Sequence, residues 1–216
     1  MDCEPISIPD TIPIFPLDDV VLFPGLGLPL RIYEPRYRAM ITDALARDRR
    51  IGMIQPRDTK DPPNLFQVGC VGKIGHVEAL EDGRYNIILE GLTRFRIRRE
   101  LQVETAFRQV EAEMIIEDET HQTLGLMERA SLEREARRFA DAQGYAVDWN
   151  AVSRLDDEAI VNGIAQIAPF DAAAKQALLE ADSLSERAEL TMQLMQFFGR
   201  HDWRCGNRGG HCDWLR

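Results

Sequence analysis

The chain has 216 residues, 44% hydrophobic and 29% charged, with a formal net charge of −10 and a pI near 5.0. These near-average values favour neither a disordered nor a fibrous protein, and the acidity argues against an extensive nucleic-acid footprint, because gripping a phosphate backbone needs a concentrated positive surface. The length suffices for a full core, in one domain or in two small ones packed together.

Met1-Asp2-Cys3-Glu4, running into Pro5 and Pro9, has neither the basic start nor the apolar run of a secretory leader. No stretch approaches the roughly 20 apolar residues of a membrane span. Cys3, Cys70, Cys205 and Cys212 are scattered rather than framed as disulfides. The expected setting is a reducing cytoplasm, with no membrane partner.

From Ile12 to about Met114 the pattern is mainly that of strands. Ile12 to Leu17 and Val20 to Phe23 are short apolar runs punctuated by Pro13, Pro16, Pro24 and Gly25, which suits edge strands and turns. One helix is expected from Pro35 to Asp48, since Tyr37, Met40, Ile41, Ala44 and Leu45 recur on one face. Gln55 to Asn64, with Pro56, Pro62 and Pro63 among charges, reads as an exposed loop.

Val68, Val71, Ile74 and Val77, interrupted by Gly69, Gly72 and Gly75, predict a bent or bulged strand. The Asp82-Gly83 pair before Tyr85, Ile87 and Leu89 predicts a hairpin. Arg94, Arg96 and Arg98 alternate with Phe95 and Ile97, which predicts a solvated arginine face rather than a nucleic-acid stripe. A further strand is expected between Gln102 and Ile116.

Past about Asp118 the apolar period moves from two toward 3.6. Leu132, Ala136, Phe139 and Ala140 share one face, Ile160, Ile164, Ile167 and Ala168 another, and Leu190, Leu194, Phe197 and Phe198 a third. Asp171 is placed to cap one helix, and Ser183 with Glu186 forms a capping box before the last. The expected organisation is a β-rich unit over 1–117, a helical bundle over 118–200 and a tail over 201–216.

Residues that could carry chemistry give little. There is no G-x-x-x-x-G-K-[ST] loop of the kind that cradles nucleotide phosphates. Lys60, Lys73 and Lys175 have no serine placed for a Ser-Lys dyad; Lys73 is expected in a strand and Lys175 on a helix surface. Cys70, between Gly69 and Val71, reads as a small buried residue rather than a reactive thiol. His201, Cys205, His211 and Cys212 could surround zinc in principle, but the spacing is unlike a finger or ribbon. The reading is a tail with Trp203 and Trp214 docking on the body, no metal and no cofactor.

The stretch Ile12 to Gly25 (IPIFPLDDVVLFPG) resembles the opening of the substrate-binding N-terminal domain of Lon proteases. The resemblance returns at Val68 to Ile74 and at Glu90 to Phe95 (EGLTRF). It returns again in Lys175, Gln176, Leu178, Leu179, Glu180, Ser183, Leu184, Arg187 and Leu190, which follow that family's K-Q-x-L-L-E-x-x-S-L-x-x-R segment. It implies an α+β fold, with an N-terminal PUA-like β pseudobarrel carrying one helix and then a helical bundle.

It also implies recognition of unfolded or client protein segments, without catalysis, by a module with no ATPase or peptidase motifs. A protease or chaperone is the implied partner. The expected contact surface lies between the β half and the bundle, with Tyr33, Leu65 and Phe66 as candidate peptide-binding residues. The alternatives are a PUA-like RNA binder using Arg94 to Arg99, and a small-molecule enzyme with a pocket that no motif marks.

Overall fold

The structure, a computed structural model, describes residues 11–116 and 123–200. Six strands, β1 (Thr11–Pro16), β2 (Gly27–Ile32), β3 (Arg50–Ile54), β4 (Val68–Ala79), β5 (Tyr85–Glu100) and β6 (Gln109–Met114), form one sheet, and α1 (Pro35–Leu45) lies between β2 and β3 in the chain. Helices α2 (Leu126–Gln143), α3 (Trp149–Val152), α4 (Asp157–Ile167), α5 (Ala172–Glu180) and α6 (Leu184–Arg200) follow.

The strand order is β2-β5-β4-β3-β1-β6, with a further β5–β6 pairing that closes β1, β3, β4, β5 and β6 into a circuit and leaves β2 as an added edge. The long β5 makes this closure possible. Its first part pairs with β2 and β4, and its last part, from Phe95 to Glu100, pairs with β6. The β4–β5 register shifts at Val71/Gly72 and at Ile74/His76, where the glycine-interrupted sequence predicted a bulged strand. The Asp-Gly hairpin is present, with Leu80 N–H donating to the Arg84 carbonyl.

A small apolar cluster of Ile12, Ile14, Val71, Phe95 and Val110 belongs to the strand circuit. A larger one is continuous from Phe23, Met40 and Ile74 through Leu132, Phe139 and Leu178 to Met195, so sheet and helices share a core. Cys70 is fully buried in it, as its sequence context implied.

Several local expectations change. Arg94 is only 3% exposed. Strand alternation does direct it away from Phe95, but that outer face is covered by α5, so the side chain meets protein instead of water. The strand expected over Gln102 to Ile116 is ordered as β6 only from Gln109. Residues 101–108 turn the chain back to bring β6 antiparallel to β5, and Leu101 N–H donates to the Gln109 carbonyl. Gln55, placed in an exposed loop, is buried, because its amide reaches the Ala172 carbonyl at 3.1 Å across the molecule. Lys175 is half-buried rather than on the surface, with Nζ donating to the Gln166 carbonyl at 3.2 Å, and burial pushes its pKa down.

Candidate functional site

The motifs that carried the resemblance converge on the seam between sheet and helices. Gly91 lies so close to the turn after Phe23 that an added Cβ would stand 2.1 Å from the Phe23 carbonyl oxygen. A residue without Cβ is required there, and the approach is fixed by Gly25 N–H to Gly91 O (3.0 Å) and Gly91 N–H to Leu26 O (2.8 Å).

The opposite side of this turn is held by α4. Asn162 Nδ2 donates to Pro24 O at 3.1 Å, Gln166 Nε2 to Gly27 O at 3.1 Å, and Phe23 N–H to Gln166 Oε1 at 3.2 Å. From α5, Gln176 Nε2 donates to Val68 O at 3.0 Å. Arg94 in turn donates to the carbonyls of Leu179 (2.8 Å) and Ala181 (2.6 Å), pairing a cation with the negative end of α5. Arg187, from α6, donates to Leu178 O and to Asn162 Oδ1. The seam is therefore closed by hydrogen bonds, and these residues act in holding the fold.

The arginine stripe is likewise engaged. Arg98 pairs with Glu113 at 3.4 Å and Arg99 with Glu111 at 2.6 Å, both across β6. Arg96 is exposed and Arg94 buried, so the four side chains do not form one cationic face.

Tyr33 is 63% exposed and lines a surface groove of about 570 Å³ with Tyr37, Phe107 and the proline-rich loop. Ion pairs at the groove join Arg36 to Glu34 and Lys60 to Asp58, and Arg108 pairs with Glu100 beside it. Asp58, accepting from the side chain and backbone of Asn64, is held at a pKa of about 2, which keeps the loop clamp ionised further into acid than an ordinary aspartate would. Leu65 is half-buried against the small cluster and bridges to Pro56, and Phe66 is half-buried with its N–H on the Gln55 carbonyl. Tyr33 thus faces a groove that Leu65 and Phe66 do not line. His201, Cys205, His211 and Cys212 lie outside the described residues, as do Trp203 and Trp214. Among the described residues no cluster of three metal-ligating side chains occurs.

An apolar trough that the sequence reading did not single out opens in the helical half. It has a volume of about 210 Å³ and runs between α2, α3 and α4, lined by Phe139, Trp149, Val152, Ile160, Gly163 and Ile164 among others, with no charged side chain. Its rim is exposed: Ile167 to 80%, Tyr145 to 45% and Leu155 to 44%.

Local sequence builds this shape. Gly144, in the left-handed region, ends α2. Asp148 caps the single-turn α3, and Asp156 caps α4 through Ala159 N–H at 2.7 Å. Arg129 holds the connection down, donating to Asp157 at 2.6 Å and to the Leu155 carbonyl at 3.0 Å. Arg137 stacks on Trp149 at 4.6 Å. So short an α3 cannot cover α4, and one side of α4 stays open where Gly163 supplies no side chain. The sequence signal was there in the apolar Tyr145, Val147, Trp149, Val152 and Leu155, whose spacing switches from two (145, 147, 149) to three (149, 152, 155), so that neither period is sustained.

A family model described as the ATP-dependent protease La (LON) substrate-binding domain matches residues 11–196. The chain belongs to this family. Among curated relatives, Lon protease 2 of Bdellovibrio bacteriovorus is 27% identical over 205 residues, covering 90% of this chain and 25% of that protein. Lon protease of Cytophaga hutchinsonii is 29% identical over 209 residues, covering 90% and 25%. The chain thus spans about a quarter of the length of these relatives, and the matched part is the substrate-binding domain.

The fold is that of solved Lon N-terminal domains. The Lon N-terminal domain protein from Xanthomonas campestris superposes with a TM-score of 0.65 at 20% identity, covering 85% of this chain and 97% of that one. The N-terminal domain of Mycobacterium avium complex Lon protease gives 0.63 at 21% identity, covering 86% and 98%. Among the described residues no helix of this Lon-family chain is long and apolar enough to cross a membrane.

Proposed function

We propose that this protein is a non-catalytic recognition module that binds apolar segments of unfolded or client proteins in the trough between α2, α3 and α4. The observation that carries this reading is an uncharged trough rimmed by Ile167, Tyr145 and Leu155, on a domain of the substrate-binding family. Such a surface offers apolar burial and little else, which suits side chains of exposed segments and supplies no acid, base or nucleophile. The family relationship supports a role in proteolysis, which we read as that of an adaptor or regulator passing clients to a protease. The closed circuit of β1, β3, β4, β5 and β6 supports the PUA-like pseudobarrel reading; Tyr33 in its groove, and Leu65 and Phe66 outside it, are the alternative contact residues to the trough. RNA binding is disfavoured by the Arg98 and Arg99 ion pairs.

Ile167→Asp tests the proposal. Ile167 is largely exposed, so the change should lower the melting temperature by no more than a few degrees, the cost of a carboxylate at the negative end of α4. It should weaken binding of reduced, carboxymethylated α-lactalbumin, a permanently unfolded protein, about tenfold, since burying one such side chain contributes about 1.5–3 kcal/mol. Unchanged affinity in a titration monitored by fluorescence anisotropy would remove the trough from the account.

A further inference from the structure

We infer that the trough has an intramolecular occupant, the chain's own segment 201–216, which competes with client segments for it; this rests on the reading of the trough as the binding site. The first argument is the point of departure. The last helix, α6, contributes Met195 to the trough, and a shallow depression between α2 and α6, lined by Ala142, Gln196 and Gly199, shares Phe139 and Met195 with it. The remaining residues of α6 advance roughly 1.5 Å each beyond Met195, so the helix ends at Arg200 within about 10 Å of the trough wall.

The second argument is reach and composition. Residues 201–216 could extend roughly 50 Å, several times the distance needed. They carry Trp203, Trp214 and Leu215, apolar side chains suited to an uncharged cavity, with Arg204, Arg208 and Arg216 against Asp202 and Asp213 in a chain of net charge −10. A tethered ligand acts at an effective concentration in the millimolar range, so even weak intrinsic affinity gives substantial occupancy. Clients then bind by displacing the segment, which sets a threshold against weakly apolar chains.

Trp149, half-buried in the trough wall, supplies the readout. Two full-length double variants, Trp203→Phe/Trp214→Phe and Trp203→Ser/Trp214→Ser, leave it as the sole tryptophan, the first preserving apolar docking and the second removing it. The expected result is an acrylamide quenching constant for Trp149 at least twofold higher in the serine pair, with about fivefold tighter binding of carboxymethylated α-lactalbumin. Equal quenching and equal affinity in both pairs would overturn the inference. A difference that vanishes on dilution would also overturn it, by assigning the occupant to a second copy. If only this inference fails, Ile167→Asp still weakens client binding in both pairs; if the trough reading fails, Ile167→Asp changes nothing in either.

Discussion

Replacing Arg187 with alanine is expected to lower stability by about 3–5 kcal/mol, the largest effect of any single side chain in the seam. Its side chain is fully buried. Nε donates to the Leu178 carbonyl at 3.0 Å, Nη1 to Asn162 Oδ1 at 2.9 Å, and the guanidinium lies 6.0 Å from the centre of the Phe23 ring. Asn162 is thereby oriented to hold Pro24, so one guanidinium ties α6 to α5, to α4 and through α4 to the turn over β5. Truncation leaves the Leu178 carbonyl and the Asn162 amide oxygen without this donor and opens a cavity the size of the missing side chain.

For a domain of this size the melting temperature should fall by roughly 6–20 °C. Arg187→Lys should recover less than half of the loss, because one ammonium on a flexible stem cannot reproduce a rigid fork. Thermal and urea unfolding check this, and a loss below about 1 kcal/mol for the alanine variant would contradict the role assigned to the seam.

Gly163→Glu is expected to weaken client binding at least tenfold while leaving the fold intact. Gly163 lines the trough, and a Cβ added there would meet no atom within 4 Å, so the new side chain enters open space rather than the core. Glycine inside a helix is less favourable than alanine by about 1 kcal/mol, so Gly163→Ala should raise the melting temperature by a few degrees with little change in binding. Glutamate occupies the cavity and brings a carboxylate that apolar ligand groups would have to desolvate. The pair separates the two effects: a fall in affinity of at least tenfold with glutamate, stability maintained, against near-native affinity with alanine. Equal binding by the two variants would show that the trough is not used.

The fold was legible where local chemistry and packing agree. The α1 face through Tyr37, Met40 and Ala44, the Asp82-Gly83 hairpin, the Asp171 cap and the Ser183 bond to Glu186 N–H all follow from neighbours in sequence. What the alternation at Arg94 to Arg98 could not convey is that the strand's outer face is roofed by α5. That contact joins residues 85 and 87 positions apart, beyond any local period. Gln55 misled for the same reason, its partner being Ala172.

The resemblance motifs were sound guides to the family, and what they mark is the seam rather than the proposed trough. Pro24-Gly25, Glu90-Gly91 and Gln176 to Arg187 lie apart in sequence but form one physical assembly, the seam. The trough depends instead on what α3 fails to cover, and an omission of that kind leaves only an irregular apolar stretch in the sequence. Ile167 illustrates the point: the helical period places it on an apolar face with Ile160, yet it is 80% exposed and Ile160 2%.

The central claim is that protein segments enter the trough of the helical half rather than the Tyr33 groove. The most direct test places p-benzoylphenylalanine at position 167 in one full-length protein and at position 33 in another, both exposed positions, and irradiates each with saturating carboxymethylated α-lactalbumin. The account predicts a covalent adduct from position 167 and little or none from position 33. Adducts from position 33 with none from position 167 would contradict it.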